Sequence, residues 1–220
     1  MRTEDLIARL ADDLRPVRRL PHPVFRAAMW IAFAAVVVGA AIAWFGPRDD
    51  LMERMGRPHE AAQLLMAVAT GILAAVAAFE LSLPDRSWRW ALLPLPAAAG
   101  WLASLGQGCL ADLTRIGPQA LVLGTSWGCL RFIVLLGVPL ALSLVWMLRH
   151  AGPVRPVPVA MLSGLAGAAL CGAGLSVFHH LDAAAMVLAW HGGSTLVVVL
   201  AFLLLGRMWK GASARGFTVA

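Results

Sequence analysis

Six apolar stretches, each about 18 to 24 residues long and separated by short polar punctuation, limit what this chain can fold into. At 1.5 Å per residue such a stretch makes a helix of about 30 Å, the thickness of a bilayer's hydrocarbon core. The stretches lie at 25–45, 61–83, 89–106, 129–148, 159–178 and 184–205. Strands of a membrane barrel would be half as long and would alternate in polarity. The pattern therefore predicts an all-α polytopic membrane protein, a bundle of six transmembrane helices preceded by a short amphipathic helix. Composition agrees: with 60% hydrophobic and 14% charged residues and a mean hydropathy of +0.77, there is too little polar side chain to cover a water-facing globule.

Lysine and arginine set the expected orientation. Six helices leave both termini on one side. The N-terminal segment, the 84–89 turn, the 149–158 loop and the tail together hold thirteen basic residues, against five on the opposite side. That bias predicts both ends of a multi-pass protein in the cytoplasm. The net charge of +6 then marks helix ends facing the bilayer surface and requires no direct nucleic acid binding. Trp44, Trp88, Trp90, Trp127, Trp146 and Trp209 fall near proposed helix ends, where an amphipathic ring is favoured. The expected units are a cytoplasmic partner-binding segment at 1–24, the membrane domain at 25–206 and a cytoplasmic tail at 207–220.

Within the membrane domain the helices read as three hairpins. In "SLPDRSWRW", Pro84 stops the second helix, and Asp85 and Ser87 are placed to cap the third. "LADLTRIG" reads as a short interfacial helix after the third span. Gly164, Ala168, Gly172 and Ser176 recur every four residues, predicting one smooth face on the fifth helix for close packing.

Residues able to carry chemistry are few. A charge at mid-bilayer costs ~2.5 to 3.5 kcal/mol on insertion scales and signals function, yet no span has one at its centre. Cys109, Cys129, His179, His180 and His191 all map near the outer interface, with Cys171 two turns deeper than His179. Thiols and imidazoles suit transition metals, but there is no CxxC or HxxxH, so the spacing gives no metal signature and the metal question stays open. Either the histidines are interfacial side chains and the cysteines small packing residues, or two thiols facing an oxidising compartment form a reversible disulfide, Cys129 with Cys171 or Cys109 with Cys129. No cofactor is expected, since His180 and His191 flank one short turn instead of facing each other as haem ligands do.

The N-terminal segment "RTEDLIARLADDLRPV" predicts a helix capped by Thr3 and ended by Pro16. Leu6, Leu10 and Leu14 fall at i, i+4 and i+8 with Ile7 beside them, and the same segment carries Glu4, Asp5, Asp12 and Asp13. A lipid-surface helix would place basic residues on its polar face, and anionic headgroups repel these acids. The stripe therefore favours a groove on a cytoplasmic protein.

That opening, the six-span layout with small loops, and the motifs "GCLADL", "WGCLRF", "FHHLDAA" and "AWHGGS" together resemble the NrsF family of bacterial membrane proteins, negative regulators of extracytoplasmic-function sigma factors. The resemblance implies a stress-responsive anti-sigma factor with no enzymatic activity, whose N-terminal segment holds the sigma factor away from RNA polymerase. It also implies sensor thiols facing the periplasm, here matching Cys129 and Cys171, with Cys109 an additional thiol. Readings of another class are a small transporter or channel, or a membrane haem or quinone oxidoreductase subunit. The first would show mid-membrane polar groups and paired broken helices, and the second an absorbance band.

Overall fold

The computed structural model describes residues 2–12, 20–151, 154–179 and 184–216. Among them there is no strand. The helices are α1 (Thr3–Asp12), α2 (Pro23–Phe45), α3 (Leu51–Met55), α4 (Pro58–Leu81), α5 (Leu95–Ile116), α6 (Trp127–Leu148), α7 (Pro156–Phe178), α8 (Ala184–Val187) and α9 (Gly193–Gly216), with a π-helical turn at Leu188–Gly192 joining the last two.

Five segments are long and apolar enough to cross a membrane: α2, α4, α6, α7 and the run Ala184–Lys210. The chain is a multi-pass membrane protein. The sixth expected span, at 89–106, is displaced. Ser87 caps only a short 3-10 turn, Trp88–Leu92, and α5 starts at Leu95. Pro94 and Pro96 explain the shift, because a ring without an N–H is tolerated in a helix's first turn and not inside it. At its other end α5 runs on to Ile116, so "LADLTRI" continues the third long helix and is no separate element. Gly117, at a φ of 70°, then turns the chain away. α5 is 22 residues long but, with Gln107, Asp112 and Arg115 in its second half, is not among the five apolar segments.

The long helices alternate in direction. One end of the bundle brings together Arg26 with the Met147 carbonyl, Trp30 with Ser143 (2.9 Å) and Arg155 with the Arg86 carbonyl (2.6 Å). The opposite end joins Arg48 to the backbone of Val177 and His179, Asp112 to the Ala184 amide, and Trp190 to the Gly124 carbonyl.

α7 is the central helix, packed against α2, α4, α6 and α9. Its small residues serve several sides, and not the single face expected from the four-residue spacing. A Cβ at Gly164 would stand 2.9 Å from Phe202 of α9, one at Gly167 2.5 Å from the Gly137 carbonyl of α6, and one at Gly174 2.5 Å from Val38 of α2. A helix surrounded by four others needs small residues all round, because each backbone has to approach it closely.

Candidate functional site

α1 begins at Thr3, one residue earlier than a Thr3 cap implies. Arg2 occupies the cap position, and the Asp5 carboxylate accepts from the Arg2 amide at 3.2 Å, while Glu4 and Asp5 lie in the first turn, where the helix dipole favours acids. Leu6 and Ile7 are 42% and 60% exposed, so this part of the stripe is not covered by the bundle. Glu4, Asp5 and Asp12 are exposed as well. The side chain of Leu10, and Asp13 and Leu14 entirely, lie outside the described residues.

The three thiols are free and differ in setting. Cys129 sits in the first turn of α6, fully buried, with its Sγ 3.0 Å from Ser126 Oγ. Cys171 is fully buried in α7 and belongs to the same apolar core cluster as Cys129. Cys109 is half-buried on α5, outside that cluster. Cys129 and Cys171 thus occupy neighbouring packed helices. Their seclusion makes them small core residues in this state. Among the described residues no three His, Cys, Asp or Glu side chains are grouped to hold a metal ion. His180 lies outside the described residues.

A cluster of ion pairs gathers between α2 and α4. Around α3, Asp50 accepts from Arg48 (Nη2, 2.9 Å, and Nε) and from Arg54 Nε (3.0 Å). Arg54 also reaches Glu60 (2.8 Å), and Arg57 bridges Glu60 (2.9 Å) and Glu53 (2.7 Å). Hydrogen bonds from Arg48, and then from Arg54, hold the Asp50 carboxyl well below the usual carboxylate range. Glu60 and then Glu53 push the Arg57 guanidinium up. A sequence signal existed: Asp50 with Arg54 and Glu53 with Arg57 are acid-to-base pairs four residues apart. Arg48, only 6% exposed, ties this cluster to the end of α7. Asp112 pairs with Arg115 at 3.1 Å and caps α8 through the Ala184 amide at 2.8 Å. Arg131 is exposed. The buried charged groups Arg26 and Glu80 lie in the terminal turns of their helices and not at mid-span.

A family model described as "NrsF: Negative regulator of sigma F" matches residues 10–209. The chain belongs to the NrsF family. The match takes in α2 through most of α9, all three cysteines, and the N-terminal segment from Leu10 onward. NrsF membership makes this chain a negative regulator with a sigma factor as partner. Comparison with characterised proteins and with solved structures gives no match.

Proposed function

We propose that this protein is an anti-sigma factor of the inner membrane that sequesters an extracytoplasmic-function sigma factor through residues 1–24 and releases it when a periplasmic stimulus reaches its thiols. On this reading both termini are cytoplasmic, residues 25–206 form the membrane domain, and α5 crosses as the sixth span. The observation that carries the proposal is the exposed Leu6 and Ile7 pair on α1, ahead of a chain in a family of sigma-factor regulators.

Leu6, Ile7, Leu10 and Leu14 enter an apolar groove on the sigma factor, while Glu4, Asp5, Asp12 and Asp13 lie against its basic surface. Tethering beside the membrane raises the effective concentration of α1 for any sigma factor that reaches the bilayer. For release, Cys129 and Cys171 form a disulfide, giving up two protons and two electrons to an external oxidant. Their shared place in the core supports this pair over Cys109 with Cys129. Bond formation draws α6 and α7 together and biases the bundle between two packings, only one of which presents α1.

The test is co-purification from membranes with the full-length chain. An extracytoplasmic-function sigma factor is expected to be retained by the wild type. Leu10→Asp and Leu6→Asp are expected to weaken it by at least about 2 kcal/mol, roughly 30-fold in affinity. Retention that is unchanged in both variants would refute the groove assignment.

A further inference from the structure

Beside the arginine cluster lies a cavity of about 50 Å³, bounded by α3, α4, α5, the end of α7, and α8 with its π-turn. Three imidazoles line it, His59 from α4, His179 from the end of α7 and His191 from the π-turn. His191 is only 2% exposed, and its Nε2 has no hydrogen-bond partner among the described residues. Such a group is rare in a folded interior. Here it sits on a π-turn, a distortion that recurs at functional sites.

The charges facing His191 come from every one of these elements. Arg48 and Arg54 approach from the α3 side, Glu60 from α4 and Asp112 from α5. Each carboxylate is already engaged: Asp50, which holds both arginines, completes that pairing, Glu60 binds Arg54 and Arg57, and Asp112 binds Arg115 and the Ala184 amide. His59 stands 4.0 Å from Glu60, and His179 lies within electrostatic range of His191. With neutral imidazoles the acids and bases of the cluster are matched. A proton added to His179 or His191 brings a positive charge toward Arg48 and Arg54, and the carboxylates lining the cavity, Glu60 and Asp112, are already paired.

We propose that this cavity is an acid-responsive latch, which keeps α8 and the π-turn closed against α5 and the 117–126 segment while His191 is neutral and lets go as its imidazoles take up protons. The ligand is the proton, and imidazole is the side chain whose ordinary pKa of about 6.5 suits mild acid. Each ring that charges only in the opened form shifts the equilibrium up to about tenfold per pH unit below that value. The Ala184 amide held by Asp112 and the Trp190 indole held by the Gly124 carbonyl are the contacts that part on opening. The inference does not draw on the sigma-factor reading.

The experiment is hydrogen exchange on the full-length chain in lipid nanodiscs at pH 7.5 and 5.0, expressed as protection factors so that the intrinsic pH dependence cancels. In the wild type, protection across 184–192 and 46–57 is expected to fall about tenfold or more in acid, while 70–81 at the other end of the bundle stays constant. In His191→Gln the acid response is expected to shrink severalfold. His59→Gln and His179→Gln are run beside it and serve if His191→Gln fails to fold. Equal wild-type protection at both pH values overturns the latch, and so does a full response in every folded variant.

Discussion

Asp50 shows how much one carboxylate can organise at an exposed turn. Two arginines converge on it, one of them nearly fully buried and tied to the end of α7. Because its pKa is held down in the folded state, its contribution is complete above the ordinary carboxylate value near 4 and is lost as pH falls through the lower folded value. Thermal unfolding in detergent should therefore show the wild type losing stability below about pH 4. Asp50→Asn should begin less stable at neutral pH and lose less on acidification, and parallel acid profiles would dismiss the cluster as a stabilising device. Its i,i+4 acid-base pairs were visible in "RDDLMERMGRPHE", whereas its attachment to α7 was not, since Arg48 meets His179 across 131 positions of chain.

At the scale of the helix, α7 depends on what it lacks. A side chain at Gly167 would collide with backbone atoms of α6, the Gly137 carbonyl at 2.5 Å and the Ala141 amide at 3.0 Å, and backbone cannot rotate away. Gly167→Val is expected to destabilise the bundle by about 1–3 kcal/mol, read as a fall in the midpoint of denaturant unfolding. Gly39→Ala on α2, where a Cβ meets nothing within 4 Å, is expected to change it by less than about 0.5 kcal/mol. The composition of α7 marked it as a packing helix. Its single smooth stripe was too narrow a reading, because spacing along one helix says nothing of how many neighbours surround it. α5 shows the same: the third apolar stretch ends at Gly106, yet the missing side chain at Gly108 lets α5 pass within contact of Ala184 and His59 and continue to Ile116.

For the whole molecule, the arrangement to test is which end of the bundle faces which compartment and how the thiols respond. Under the proposed orientation, a membrane-impermeant maleimide applied to intact cells reacts first with Cys109, since Cys129 and Cys171 are fully buried. After oxidant treatment and denaturation, Cys109 should still label while Cys129 and Cys171 do not. Labelling of all three at equal rates before and after oxidant would remove the disulfide from the mechanism. A reporter fused ahead of Met1 that is active only outside the inner membrane would remove the sigma-factor reading with it.

The membrane character, the all-helical class and the positions of five spans within about five residues were written into the sequence, because a bilayer imposes length and polarity on each segment by itself. So was the family, which a match along residues 10–209 shows. What only tertiary structure decided was which small residues touch which helix, that the two core thiols share one packed cluster, and that histidines of α4, the end of α7 and the π-turn line one cavity. Those facts depend on how helices of equal greasiness choose neighbours, a choice made by shape and by a few buried polar contacts that hydropathy does not encode.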